Sequence, residues 1–344
     1  MTQAPPPDVD VTVDLVRALL AEQHTDLATL PLRIVAHGWD NVMLRLGDDL
    51  AVRVPRRTEA ARLVEHELVA LPIVAPRLPV PTPRPVRAGR PSAALGYPWV
   101  WAVVPWVDAV VVADLPRAQR RSLASTLADV LVALHVPAPA DAPLNPFRGV
   151  PLATRDDAVR KRLARLGAPG GYLEGSGLDV PRPATAGGRV GRQGHVGSAG
   201  RVPRLLDALV DTWQAGLLAP GHDGAPLWVH GDLHAANLVA TTDAPHGLAA
   251  VVDWGDVSAG DPATDLAVAW LVLDAPGREA FRDRLRLRGH PCADDPAAHS
   301  RARAWALTMA TAMAEHAAPG TGYHALATGA LAEILGLEPP AAVR

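Results

Sequence analysis

Apolar residues recur with helical spacing over residues 11–22 (VTVDLVRALLAE), and from Leu32 the period shortens to two. LRIVAHG, VMLRLG and LAVRVPR alternate apolar and polar positions, and the Gly47-Asp48-Asp49 turn between the last two predicts a hairpin. Thr58 stands where a helix cap is needed, EAARLVEHELVAL has the spacing of the helix it would open, and Pro72 is expected to end it. A Pro-rich crossing (PRLPVPTPRPV) leads to a further apolar strand, YPWVWAVV, followed by Pro105 and Trp106. Residues 32–108 thus read β-β-β-α-β-β, a small mixed lobe.

Beyond it the helical period dominates. Residues 117–135 (RAQRRSLASTLADVLVALH) are long and amphipathic, and 154–166 and 203–216 repeat the pattern. Gly167 to Gly200 breaks it with Gly, Arg, Pro and Ala; no strand precedes it and no Lys-Ser/Thr follows, so it reads as a flexible insertion and not a phosphate loop. Asp261-Pro262 has the form of an N-cap with Pro in the first turn, opening ATDLAVAWLVL. Helices over 276–289, 297–315 and 322–336 complete the chain, and no internal repeat is visible.

Composition narrows the class. With 344 residues, 49% hydrophobic and 20% charged, the chain can fill two packed lobes. No run approaches the ~20 apolar residues of a membrane span, and the acidic, Pro-rich start is unlike a secretory signal. One cysteine, Cys292, excludes an internal disulfide and fits a reducing compartment, so the expected location is cytoplasmic. A net charge of −3 argues against nucleic acid as a partner. Of 33 Lys plus Arg only Lys161 is lysine, so any cation that clamps phosphate here is an arginine.

The chemistry concentrates between His230 and Asp265. LWV reads as a buried strand with His230-Gly231-Asp232 at its end; Asn237 follows five residues later, and AAVVDWGD delivers Asp253 from a second apolar strand. Phosphoryl transfer needs this set: one carboxylate to take the acceptor's proton, an amide oxygen and another carboxylate to hold Mg²⁺ against phosphates. A lone loop Asp is usually a turn residue, but the order and spacing of the whole set are hard to reach by chance.

HGDLHAAN and DWGD resemble the catalytic loop and metal-binding segment of the aminoglycoside phosphotransferase family, antibiotic kinases of the protein-kinase-like fold related to macrolide phosphotransferases and choline kinases. The resemblance implies an α+β bilobal fold, with a small antiparallel β-rich N-lobe carrying one helix and a larger, mostly helical C-lobe. It places the N-lobe at 1–104, the hinge at 105–108 and the C-lobe at 109–344, with 167–200 as the insertion. By it Asp232 is the catalytic base, Asn237 and Asp253 are the Mg²⁺ ligands, His230 structures the loop and Asp265 braces it. Asp256 is a candidate for the metal shell, and His234 is expected to fill the loop. In the N-lobe the turn with Trp39 and Asn41 stands where a Gly-rich phosphate loop is expected; Arg53 takes the place of the usual lysine, with Glu67 as its partner. Pro105 and Val107 would hold the nucleotide base through the backbone, while Trp101 and Trp106 are expected in core and rim.

The resemblance implies ATP or GTP with Mg²⁺, a small-molecule hydroxyl acceptor and a monomer or weak dimer. It speaks less about the acceptor. Residues 226–344 carry 14 acids against 8 arginines, whereas 110–225 carry 10 acids against 14 cations, which favours a cationic aminoglycoside and a resistance-type kinase. A macrolide would want an apolar cleft, for which Trp270, Leu271, Trp305, Met309 and Met313 are candidates. A small-metabolite kinase acting on an amino alcohol or sugar, and a pseudokinase that binds nucleotide without turnover, complete the alternatives.

Overall fold

The computed structural model describes residues 6–38, 40–180 and 200–337. After α1 (Val13–Gln23) come β1 (Leu32–His37), β2 (Asn41–Leu46) and β3 (Leu50–Pro55), then α2 (Thr58–Val74), β4 (Arg87–Gly89) and β5 (Trp101–Pro105). The strands form one antiparallel sheet in the order β1-β2-β3-β5-β4. This is the β-β-β-α-β-β series that the alternating residues predict. On one face of the sheet Val52, Val54, Trp101 and Val103 join Leu44, Leu46 and the α1 residues Val16, Leu19 and Leu20 in a buried core. The opposite face carries Ala51, Ala102 and Val104 with Met43 and Trp106, a shallow apolar floor of small side chains.

Two expectations about α2 need correction. Thr58 does not cap it: its backbone N–H and hydroxyl both donate to Asp8 Oδ2, at 2.9 and 3.0 Å, so the cap comes from the N-terminal segment. Pro72 does not end it either. Proline removes one helical N–H, yet the helix continues to Val74, because Ala70, Leu71 and Val74 are packed into the core of the following lobe.

That lobe is mostly helical. After β6 (Val110–Val111) the predicted helix 117–135 splits into a 3-10 turn (Arg117–Leu123) and α3 (Ala124–Leu134). Next come α4 (Asp156–Leu166), α5 (Tyr172–Gly175) and α6 (Arg201–Leu218), then β7 (Leu227–Val229), β8 (Leu238–Ala240), β9 (Leu248–Val251) and β10 (Ser258–Gly260). The chain ends in α7 (Ala263–Leu266), α8 (Val268–Leu271), α9 (Ala275–Leu287), α10 (Pro296–His316) and α11 (Gly322–Leu335). Asp261 caps α7, accepting from Ala263 N at 2.9 Å. The single helix expected after it is instead the pair α7 and α8; Arg117 Nη1 takes the carbonyls of Trp270 and Leu273 at 3.1 Å, which closes α8. α10 runs through the middle with Ala302, Trp305, Leu307 and Met309 buried. No helix among the described residues is long and apolar enough to cross a membrane.

The first part of the Gly-rich stretch belongs to the fold. Leu173 and Leu178 are buried, and the Tyr172 hydroxyl meets Thr328 Oγ1 of α11 at 2.6 Å. The rest of that stretch, 181–199, lies outside the described residues. Cys292 is buried, which pushes its thiol up to about 11.

Candidate active site

The inner face of the sheet brings Arg53 into the cleft, two positions along β3 from Ala51. It is 6% exposed, and Glu67 on α2 is 3% exposed. Arg53 Nη1 donates to Glu67 Oε2, and Nη2 donates to Asp253 Oδ1 at 2.6 Å. With its amide turned to accept, Asn41 receives Nη2 at 3.2 Å and Nε at 3.3 Å. Burial opposes the charge on Arg53, yet Glu67 and Asp253 hold its pKa above the ordinary value. Burial pushes Glu67 up, and the Arg53 charge draws it back. Glu65 is exposed, as expected for the other side of the helix. Trp39 lies outside the described residues.

At the end of β5 Pro105 faces Leu50 across the sheet, and the Trp106 N–H is committed to the Asp49 carbonyl at 2.8 Å. The next backbone donor along the chain is Val107. Trp101 is fully buried, while Trp106 sits at the rim, stacked by Arg45 at 4.3 Å and tied to Asp108.

The loop after β7 is fixed by Asp265, whose side chain is fully buried. Its carboxylate accepts from the backbone amides of His230 (2.7 Å) and Gly231 (2.9 Å). A Cβ at Gly231 would stand 2.6 Å from the Asp256 carbonyl, so only glycine fits there. Behind Asp265 lies a buried chain of rings: Cys292 N donates to His290 Nδ1 (3.2 Å), His290 Nε2 to His135 Nδ1 (3.0 Å), and His135 Nε2 to Asp265 Oδ2 (3.2 Å). The amide at one end and the carboxylate at the other assign every ring nitrogen. His230 is also oriented, receiving from Asp232 N and giving Nε2–H to the Val252 carbonyl at 3.1 Å.

Asp232 emerges at the cleft with its carboxylate held on both oxygens. Asn237 Nδ2 donates to Oδ2 at 3.2 Å and to the Asp232 carbonyl at 2.9 Å, which commits the amide nitrogen and leaves the amide oxygen as a ligand. Arg148 Nη2 donates to Oδ1 at 3.0 Å. Burial would raise this carboxyl, but Arg148 and His234 hold it far below the usual range. His234 does more than fill the loop: it caps the turn Ala235–Asn237 and lies 3.4 Å from Asp232 Oδ2.

Asp253 follows β9 in the left-handed region (φ 59°), the one non-glycine residue there among those described, and its carboxylate is 51% exposed. Such a backbone costs about 1–3 kcal/mol and is kept where the surroundings dictate it. Here Val252 N is tied to Asn237 O at 3.0 Å, and a Cβ on Gly255 would meet Leu63 Cβ at 2.8 Å, so α2 sits directly on the turn. Asp256 accepts from Asn145 Nδ2 at 2.6 Å, and burial pushes it up.

Arg148 and Asn145 are the residues that sequence reasoning missed. They lie in the irregular segment between α3 and α4, where Asn145 Oδ1 accepts from Phe147 N and Arg148 N and so turns the chain toward Asp232. Asn145-Pro146 is a turn signal, but nothing local ties Arg148 to a carboxylate 84 residues on. Beside this pair opens a cavity of about 200 Å³, lined by Arg148, Asp232, His234 and, from α10 and α11, Met309, Met313 and Tyr323. Of the apolar residues considered for a macrolide cleft, Met309 and Met313 reach it; Trp305 is fully buried in the core.

The model of the phosphotransferase enzyme family matches residues 31–305. No curated protein sequence matches the chain. Among solved structures, the GDP and kanamycin complex of APH(2")-IIia superposes with a TM-score of 0.60 at 17% identity, over 87% of this chain and 89% of that one. A macrolide 2'-phosphotransferase type I gives 0.56 at 18% identity over 95% and 98%, and a macrolide 2'-phosphotransferase of Brachybacterium faecium 0.52 at 21% over 96% and 99%. At such identities the likeness carries the bilobal, protein-kinase-like α+β fold. The family match, which spans most of the chain, carries more: the protein is a member of the phosphotransferase enzyme family, a nucleotide-dependent enzyme that transfers phosphate to a hydroxyl group.

Proposed function

We propose that the chain moves the γ-phosphoryl group of ATP or GTP to a small-molecule hydroxyl, with Asp232 as the general base. The observation that carries this reading is Asp232 itself, a carboxylate at the wall of a cavity, joined through Asn237 to the strand pair that ends in Asp253. The nucleotide base would lie on the floor of Ala51 and Ala102, bonded to the Pro105 carbonyl and the Val107 N–H. Lobes divide at 105–108 in this reading. Arg53 would meet the α- and β-phosphates, held in place by Glu67, with the turn around Trp39 and Asn41 above them.

The oxygen donors suit Mg²⁺, a hard cation that takes few protein ligands and completes its shell with phosphate and water. In this reading Asn237 and Asp253 would be its protein ligands. Bound there with the nucleotide, Mg²⁺ would neutralise phosphate charge. The chain's own residues would do the rest: Arg53 would clamp and Asp232 would orient the acceptor hydroxyl and take its proton. Intact Asp232, Asn237 and Asp253 favour turnover over a pseudokinase role.

The acid surplus of 226–344 favours an aminoglycoside acceptor only where its carboxylates are unpaired, and most of them already meet arginines or amides of this chain. Asp261 pairs with Arg301, Asp274 with Arg121, Asp283 and Asp294 with Arg286, Glu315 with Arg162 and Arg165, and Glu333 with Arg278. A coupled assay of nucleotide turnover across hydroxyl acceptors, with Asp232→Asn as control, tests the reading; equal turnover in that variant would overturn the base assignment.

A further inference from the structure

Resting on that phosphotransferase reading, we infer that the acceptor is a compact hydroxy acid, with an apolar body and a carboxylate, held by Arg148, close to the hydroxyl that is phosphorylated. Among the described residues the cavity wall offers one carboxylate, Asp232, against Arg148 and two histidines, His234 and His316. Asp232 is already shared by Arg148, Asn237 and His234. A polycation would have to bind a wall with no spare acid, next to a fixed positive charge. Asp256 does not line the cavity, and Asn145 holds its side chain at 2.6 Å.

Arg148 has unused capacity. Its side chain keeps 22% of its surface exposed and meets one carboxylate oxygen, through Nη2. Its Nε is unpartnered among the described residues but shut away from the cavity, so the spare donor is Nη1. A guanidinium presents five donors in a plane that matches carboxylate geometry. Its Nη2 stands 3.0 Å from the oxygen of the proposed base, so a ligand group on Arg148 and a hydroxyl on Asp232 must be only a few bonds apart. The remaining wall is Met309, Ala312, Met313 and Tyr323, which wants an apolar body. A volume of about 200 Å³ takes a small molecule, whereas a polycyclic antibiotic would have to extend beyond these walls into the open cleft; drug-sized pockets run to roughly 300–1,000 Å³.

Three matched acceptors separate the possibilities: tropate, which joins a hydroxymethyl, a phenyl and a carboxylate on one carbon; the diol in which the carboxylate is replaced by hydroxymethyl; and the amino alcohol in which it is replaced by aminomethyl. Kanamycin is the polycation control. Each is assayed with the full chain, ATP or GTP and Mg²⁺. Nucleotide binding by titration calorimetry and slow transfer to water are measured first, so a protein that binds no nucleotide defeats the phosphotransferase reading and not the acceptor assignment alone. The expected order of kcat/KM is tropate, diol, amino alcohol, with kanamycin unused. Arg148→Met should raise KM for tropate by roughly 10- to 100-fold, the size of a lost charge-assisted hydrogen bond, and erase its advantage over the diol; Arg148→Lys should restore part of it. A general structural defect would lower kcat for all acceptors alike and leave their ratio. Preference for the amino alcohol or kanamycin, parity of tropate and diol, a tropate preference that survives Arg148→Met, or no transfer to any of the four by a protein that binds nucleotide would each overturn the inference.

Discussion

Two arginine–carboxylate pairs belong to the candidate site, and they are built differently. Arg53 is almost wholly buried and is gripped from three elements: Glu67 of α2, Asp253 after β9 and Asn41 at the start of β2. Arg148 comes from an irregular segment, meets one carboxylate, and shares with it a side-chain exposure of 22%. The first arrangement leaves a cation no freedom, as suits a fixed clamp. The second leaves donors over, as suits a group that meets something variable. Burial thus separates the clamp proposed for the nucleotide from the arginine proposed to meet the acceptor.

The contrast can be broken in order of expected effect. Asp232→Asn should lower kcat by about 100- to 10,000-fold, the usual range for a lost general base, with nucleotide affinity nearly unchanged; calorimetry and steady-state kinetics together check it. Arg53→Ala should raise the nucleotide KM and also destabilise the fold by roughly 3–5 kcal/mol, because Glu67 is left buried without its partner. Arg148→Met, with its partner more open to water, should cost less in urea unfolding; an equal or larger loss than Arg53→Ala would erase the distinction between the pairs.

Smaller effects follow from groups behind the site. His290 is pushed down to about 3 by burial and by His135, so it stays neutral when folded and takes up a proton only on unfolding. Its contribution is therefore complete above the ordinary histidine value of 6.5 and is lost as pH falls from there toward about 3. The slope should approach about 1.4 kcal/mol per pH unit for that one proton, and His290→Gln should flatten it in denaturant titrations. Asp8→Ala removes the cap on α2 and should lower Tm slightly with the nucleotide KM unchanged; a raised KM would show that the cap also sets Glu67.

What could be read in the residues and what could not have a physical division. The β-hairpin, α10 and the Asp232–Asn237–Asp253 spacing are local, since alternation, period and loop length are all written within a few residues. Glu67 was found because its partner's strand and its own helix are adjacent in sequence. Arg148 was not, because its meeting with Asp232 depends on how the segment after α3 folds back. Pro72 misled for a related reason: a local stop signal is outweighed when Leu71 and Val74 find a core that lies elsewhere in the chain. Thr58 misled because its role as a cap passed to Asp8, fifty residues earlier.

α2 belongs to both lobes at once. Its middle carries Glu67 against Arg53, while Ala70, Leu71 and Val74, one turn on, are buried with the helices of the C-lobe. Swinging Glu67 away would expose those side chains, at about 1.5–3 kcal/mol for each of Leu71 and Val74. The salt bridge is therefore anchored as a part of the larger lobe's interior, and the clamp stands assembled before any nucleotide arrives. Any movement of α2 that opened this pair would therefore have to disturb the packing of the C-lobe as well.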